Sequence, residues 1–497
     1  MEDEEIVALY WARNEVAIRE SERKYGPFCC TLALNILSIR EDAVECVNDT
    51  WYHAWNAMPE ERPRYLRAWL GPVAAILALA LLVSGLFGSR LISSVYAVEQ
   101  AVYPKYDTRS GFVPNEGAGA FVLASLPVFL GGRAGENRIY SPLNTYMALA
   151  MTAELTAGES RGQIMAVLGE TDLETLREQA RELWKQNYQD GQGGKSLSAI
   201  SLWMDDAIRY ERDTLKVLAE NYYASSFSGK LGSPGMDRAL QIWLNDQTGG
   251  MLADKASAES THRSGTEVDV LTLASTVYFT GKWNDKFEKC DTYPQVFHSP
   301  GDDITSDFMH QQRMKGIYYW FDFFAAVPQS FTSNAVMWYI LPDEGVTPEE
   351  LLQDAQLLAF LTSEDRSGDY QDNSKYLFVN LAVPKFDVSA EVEMTEGLRA
   401  MGITDIFDFT VSDFTPLTRD EAMEEMGVWL SQAKQATRVL IDEQGCEAAT
   451  YIKFQYGAGA GGPPTDEVDF VLDRPFLFAV TNGTNGLPLF VGIVNRP

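Results

Sequence analysis

From Ala68 to Ser89 the chain reads AWLGPVAAILALALLVSGLFGS, 22 residues without a charge. As an α-helix this run is roughly 33 Å long, enough to cross a hydrocarbon core of about 30 Å. A buried core helix is the plainer alternative, but such helices are seldom this long and this apolar on every side. Arg62, Arg64 and Arg67 precede the run and only Arg90 follows closely. The positive-inside rule then places residues 1–67 in the cytoplasm and residues 90–497 outside, with 90–111 as a linker. The alternative is a leader cleaved after Ala97, where Val95-Tyr96-Ala97 supplies small residues at suitable spacing, so that the remainder is secreted.

Composition narrows what the flanking parts do. The 497 residues carry 40 Lys plus Arg against 70 Asp plus Glu, a net charge of −30. Nucleic acid phosphates repel such a surface, so DNA is an unlikely partner. The five cysteines form no C-x-x-C pair and there are only four histidines, so neither a metal site nor a cofactor is expected. Cys29, Cys30 and Cys46 read as buried thiols in a reducing compartment. Cys290 and Cys446 lie beyond the apolar run, and nothing in the sequence requires them to pair.

Residues 1–67 look like a small all-α module. IVALYWARNEVAIRESERKY has helical apolar spacing, Gly26-Pro27 punctuates it, FCCTLALNIL resumes it, and REDAVECVNDTWYHAWNAMP begins a third helix. Residues 112–497 place helices first and most strands later, which predicts an α+β fold with large mixed or antiparallel sheets. Strand candidates are VDVLTLASTVYFTG, AVMWYILP, YLFVNLAVPKFDV and RVLID. PFLFAVTNGTNGLPLFVGIV reads as a hairpin about a Gly/Asn turn.

Two motif matches fail on context. Gly158-Glu-Ser160-Arg-Gly162 fits the nucleophile elbow of α/β-hydrolases, but a helical stretch rather than a strand precedes it. GAGAGG at 457–462 fits a dinucleotide-binding loop, but Pro463-Pro464 leaves no helix N-terminus for a pyrophosphate.

Residues 112–497 resemble the serine protease inhibitor (serpin) family, in order and at family spacing. The stretches carrying the resemblance are NRIYSPLNTYMALAMTAELTAGESRGQI, LWMDDAIRYERDTLKVLAENYYASSF, VLTLASTVYFTGKWNDKF, LAVPKFDV, LRAMGITDIF, VLIDEQGCEAAT and DRPFLFAVTNGTNGLPLFVGIVNRP. The resemblance implies a large mixed central sheet, two further sheets, about eight or nine helices and an exposed reactive loop. It implies an inhibitor rather than an enzyme. A serine protease cleaves the loop and forms an acyl-enzyme; the cut loop then enters the central sheet as a new strand and traps the protease.

The resemblance also assigns roles to residues. The loop hinge is Glu443, Gly445, Cys446, Glu447, Ala448, Ala449 and Thr450, with Cys446 where Thr or Ser is usual. Thr450 and Tyr451 depart from the family's run of small residues. Read with period two, Cys446, Ala448, Thr450, Ile452, Phe454 and Tyr456 share one small or apolar face, opposite Glu447, Ala449, Tyr451, Lys453 and Gln455. Family spacing from Gly445 sets the scissile bond at Gly459-Ala460, among residues small enough for an elastase-like or subtilisin-like protease. A slipped register would move cleavage to Tyr456 and suggest a chymotrypsin-like target. Trp283 and Ser141 match the sheet-opening region, where Asn144 replaces a second Ser and Gln435 stands in place of a common His; Gln241 replaces an Asn in a helix later in the sequence.

The N-terminal 70 residues resemble the first conserved region of extracytoplasmic-function sigma factors, truncated before the promoter-reading helix. The stretch from Glu41 to Thr50 is the one such proteins dock on RNA polymerase, which singles out Asp42, Glu45 and Asp49 as polymerase contacts. Eight basic against thirteen acidic side chains make a poor DNA surface. The combined expectation is a bacterial membrane-anchored protease inhibitor. The alternatives are a membrane signalling protein linking an outer serpin to RNA polymerase, and a non-inhibitory serpin.

Overall fold

The computed structural model describes residues 3–12, 16–37, eight positions between 47 and 70, then 95–103, 116–132, 135–191, 194–248, 271–333, 335–419, 427–430, 433–446, 464–483 and 485–497. Asp42, Glu45, Asp49, the hinge from Glu447 to Thr450, the Gly459-Ala460 bond and the apolar run beyond Leu70 lie outside the described residues. The chain divides into two compact units, Met1–Ser94 and Val95–Pro497.

In the first unit, helices Asp3–Trp11 and Val16–Leu37 pack Ile6, Tyr10, Ala17, Tyr25 and Cys29 with Leu66 and Leu70. The predicted break at Gly26-Pro27 is absent: the helix runs through Pro27. Proline there forfeits one backbone bond, but Tyr25 and Cys29 are buried on either side and their packing holds the helix together. Conversely, the single helix expected over IVALYWARNEVAIRESERKY is two elements. Trp69 and Leu70, the start of the apolar run, belong to this core. Among the described residues no helix is long and apolar enough to cross a membrane.

The second unit carries the strands, in chain order β1 (Val95–Glu99), β2 (Arg138–Tyr140), β3 (Gln189–Gly191), β4 (Gly194–Asp205), β5 (Ala224–Gly229), β6 (Leu271–Lys282), β7 (Thr292–His298), β8 (Asp303–Trp320), β9 (Phe324–Ser330), β10 (Ala335–Pro342), β11 (Ser374–Pro384), β12 (Phe386–Glu393), β13 (Lys434–Ile441), β14 (Gly445–Cys446), β15 (Glu467–Val471), β16 (Phe476–Asn482) and β17 (Pro488–Val494). One sheet has the order β1-β5-β4-β6-β14, with β3 beside β4. A nine-stranded sheet runs β15-β11-β8-β9-β10-β16-β17-β2, with β7 beside β8, and β12 pairs with β13 alone.

Three details differ from expectation. The central sheet falls into a six-stranded and a two-stranded part. The two further sheets are one continuous sheet, because the 18-residue β8 is long enough to pair with β7, β9 and β11 along its length. Its bend is made at Arg313, where φ is +50° and Asn380 accepts the backbone N–H at 3.0 Å across a bulge. Finally, Val95–Glu99 is not linker but strand, paired antiparallel with β5.

The core lies where helices meet these sheets. β16 and β17 are buried at every position, as their unbroken apolar runs require. Helix Pro142–Leu155, which is buried almost throughout, starts cleanly: Pro142 occupies the first turn, where its missing N–H is harmless, and Ser141 caps the end. Ten α-helices are described in this unit against the eight or nine expected, and three of them are only four to six residues long.

Candidate functional site: a split sheet and its hinge

β6 and β13 run side by side but belong to different sheets, and β14 alone bridges toward them. The bridge begins as a tight turn. Asp442 N–H donates to Gly445 O and Gly445 N–H to Asp442 O, each at 3.2 Å, with Glu443 and Gln444 at the corners. Gln444 N–H is held by Asp442 Oδ1 at 2.8 Å. Gly445 and Cys446 then pair antiparallel with Lys282 and Gly281 of β6. Only glycine fits at 445: φ is +122°, and a Cβ would lie 2.2 Å from the Gly281 carbonyl oxygen.

Trp283 closes the top of this junction. It is 1% exposed, lies against Phe331 with ring centroids 4.4 Å apart, and donates Nε1–H to Asp442 O at 3.0 Å. Glu443 turns inward and pairs with Lys385 Nζ at 2.6 Å. Burial is the largest single influence and works to raise its pKa, but the hydrogen bonds from Lys385, its own backbone N–H and Thr292, with the charge of Lys385, together outweigh it and hold the carboxyl below the usual range. Thus Glu443, Gly445 and the backbone of Cys446 share one turn at the top of the split, and Trp283 stands beside it.

Ser141 and Asn144 lie further down, behind the split. Gln435 of β13 reaches Ser141 and the neighbouring Thr145. Its Oε1 accepts from Ser141 N–H at 2.8 Å, and its Nε2 donates to Ser141 O at 3.0 Å and Thr145 Oγ1 at 3.1 Å. Asn144 Oδ1 is buried and has no hydrogen-bond partner among the described residues, so this substitution does not reproduce a satisfied hydroxyl. Gln241 is not part of the cluster: its Nε2 bonds Asn245 Oδ1 within its own helix at 3.1 Å. Below Gln435 a cavity of about 50 Å³ separates the strands, lined by Leu273 and Ser275 of β6, Ala433 and Gln435, and Leu149 and Leu398 behind.

Ser160 sits in the first turn of helix Gly158–Leu168, 1% exposed, its Oγ accepting from Asp413 N–H at 3.0 Å. No strand precedes it, and the nucleophile-elbow match is a chance one. Sequence reasoning missed Lys385, Thr145 and Phe331, whose partners are remote in sequence and follow no local spacing.

A sheet split below a glycine turn, with one extra antiparallel strand already started in the gap, defines a protein whose loop is placed to join its own sheet. The serpin (serine protease inhibitor) family model matches residues 121–497, so the chain belongs to the serpin family. That places it among protease inhibitors rather than enzymes. Serpin-ZX of Arabidopsis thaliana is 25% identical over 377 residues, covering 73% of this chain and 92% of that protein. Plasminogen activator inhibitor 1 of Neovison vison is 28% identical over 382 residues, covering 73% and 87%. The native-state crystal structure of the thermophilic serpin tengpin superposes with a TM-score of 0.66 at 22% identity, over 81% of this chain and all of tengpin.

Proposed function

We propose that this serpin inhibits serine proteases by inserting its cleaved loop between β6 and β13, with cleavage at Gly459-Ala460 by an elastase-like or subtilisin-like enzyme. The observation carrying this reading is register. Continuing the pairing of Gly445 with Lys282 down β6 sets Ala448 opposite Phe279, Ile452 opposite Ser275 and Phe454 opposite Leu273. Continuing the Asp442–Gly445 bridge along β13 sets Ile452 opposite Gln435 and Phe454 opposite Ala433. Two independent ladders therefore agree, and Ser275, Leu273, Gln435 and Ala433 all line the cavity. The apolar face of the loop enters where apolar volume is missing, and the polar face stays outward.

The test mixes the full-length protein with pancreatic elastase, subtilisin, chymotrypsin and trypsin, followed by denaturing gels and sequencing of the released peptide. A band at the summed mass with a peptide beginning at Ala460 supports the reading. A peptide beginning at Gly457 moves the bond to Tyr456 and the target to a chymotrypsin-like enzyme. Cleavage by every protease without a stable complex favours the non-inhibitory alternative.

We further take the run after Leu70 as a membrane anchor with the serpin unit outside. Gly71–Ser89 still spans about 28 Å as a helix once Trp69 and Leu70 are assigned to the first unit's core. The separate core of the first unit suits a folded cytoplasmic module that contacts RNA polymerase through Asp42, Glu45 and Asp49, the signalling alternative. Copurification with polymerase that survives Asp42→Ala with Glu45→Ala would sink it.

A further inference from the structure

The serpin family model begins at residue 121, yet residues 95–103 are already bound into the fold. Val95 pairs with Gly229, Gly229 with Asp205, and the adjoining Met204 with Leu271. β1 thus adds one more strand to β5, β4 and β6, the half of the split sheet that flanks the gap through β6. Beyond β1 the chain leaves the sheet for neighbouring helices. Ala101 N–H still donates to Ser225 Oγ of β5 at 3.2 Å, but Val102 N–H donates to Ala219 O of helix Arg212–Asn221 at 3.0 Å. Tyr103 then stacks on Trp184 and Tyr188 at the end of helix Leu173–Asn187, with ring centroids 5.6 and 6.3 Å away.

The Tyr103 ring also lies 6.3 Å from that of Tyr223, which joins helix Arg212–Asn221 to β5. Tyr223 is buried with φ at +53°, a conformation that a bulky residue keeps only where its surroundings hold it there. Trp184 is packed 4.0 Å from it and donates Nε1–H to Ser198 O of β4 at 3.0 Å. Tyr103, 47% exposed, is the outer cover of this joint. The two helices belong with the other side of the gap. Glu154 of helix Pro142–Leu155 accepts from Arg177 Nε–H and from Tyr222 O–H, each at 2.9 Å, and the same helix holds Gln435 of β13 through Ser141.

Admitting a strand between β6 and β13 moves β6, β4 and β5 away from β13 by one strand spacing, about 4.8 Å. β1 travels with β5, whereas Val102 and Tyr103 are held by helices tied to β13. A shift of that size breaks the Val102–Ala219 hydrogen bond and unstacks the rings. From this we infer that residues 95–103 are a brace that keeps the split sheet from widening: the segment is bound to the moving strands at one end and to the stationary helices at the other, and it covers the joint at Tyr223 between them. The inference rests on the loop-insertion reading above. It makes the brace the element that slows entry of the uncut loop and so preserves the inhibitor until a protease arrives.

The test compares the full-length protein with Tyr103→Ser, which removes the stack, and with Ser225→Ala, which removes the acceptor for Ala101 N–H; Tyr103→Phe keeps the ring. Each protein is incubated without protease, and samples are scored over time for gel-stable complex with elastase or subtilisin and for monomer that resists urea. In Tyr103→Ser and Ser225→Ala the half-life of complex formation is expected to shorten about fivefold, the effect of losing one ring stack or one hydrogen bond, as urea-resistant monomer accumulates. Tyr103→Phe should stay within about twofold of the parent, since the stack is kept. Unchanged half-lives in Tyr103→Ser and Ser225→Ala overturn the inference alone. Activity lost to aggregates without urea-resistant monomer also overturns it, because these contacts then serve general stability. A parent that forms no stable complex and gains no urea resistance on cleavage overturns the insertion reading, and the inference falls with it.

Discussion

The side-chain amide of Gln435 closes a ring of two hydrogen bonds with the backbone of Ser141, accepting from its N–H at 2.8 Å and donating to its O at 3.0 Å. This ties β13 to the start of the central helix, at the level where the sheet is split. Gln435→Leu keeps the volume but strands Ser141 N–H in a buried site and removes one partner each from Ser141 O and Thr145 Oγ1, which keep their bond to each other. A loss of about 3 kcal/mol of native-state stability is expected, measured by urea unfolding. Loss below about 0.5 kcal/mol would show that the pair does not hold the strand.

Among the described residues of the 442–446 turn, Gly445 is the one whose backbone excludes any side chain. Gly445→Ala places a Cβ against Gly281 O and forces a residue into positive φ. The turn is expected to open and β14 to leave the β6 ladder. Insertion should slow relative to ester hydrolysis, raising the number of inhibitor molecules consumed per protease several-fold. An unchanged ratio in titration against elastase would contradict the role of this turn.

The period-two alternation of the loop sequence is open to a direct test. In the inserted register proposed above, Ile452→Lys would put a charge into the cavity between Ser275 and Gln435, whereas Tyr451→Lys would point outward. The first is expected to turn the protein largely into a substrate, and the second to leave complex formation within about twofold, since burying an unpaired charge is far costlier than exposing one. Equal effects would mean that the register is wrong.

His310 offers a pH signature. Its ring stacks on Tyr293 at 4.1 Å, and its buried Nε2 has no hydrogen-bond partner among the described residues. Burial lowers its pKa, against a smaller opposing pull from Asp291. The unfolded chain therefore takes up the proton at higher pH than the native one. The stability this neutral ring contributes is present above the ordinary histidine pKa near 6.5 and is lost as pH falls through that value. His310→Phe should lose less of its melting temperature than the parent protein between pH 7.5 and 5.5. Parallel losses would assign the pH dependence elsewhere, for example to the carboxylates.

Local pattern accounts for much of what the fold shows. AVMWYILP matches β10 residue for residue, and PFLFAVTNGTNGLPLFVGIV contains the β16–β17 hairpin, because β-branched and aromatic runs bounded by turn residues leave few alternatives. Ser141 at a helix cap, Trp283 at a strand end and Gly445 at a turn were all legible, each having a local reason. Helix termini and breaks were less so: Pro27 sits mid-helix because neighbouring side chains are buried, which no local propensity records.

The sequence by itself determined the family, the two-faced loop and the uncharged run at 68–89, since each depends on residue order alone. Tertiary structure decided the rest. Glu443 with Lys385, Gln435 with Ser141, and Trp283 with Asp442 are partners far apart along the chain, brought together only when strands find their neighbours. The same holds for the gap between β6 and β13 and for the row that joins Val95 to Leu271. Period-two alternation says which residues share a face, but the register that aligns one strand with another is set by packing across the sheet.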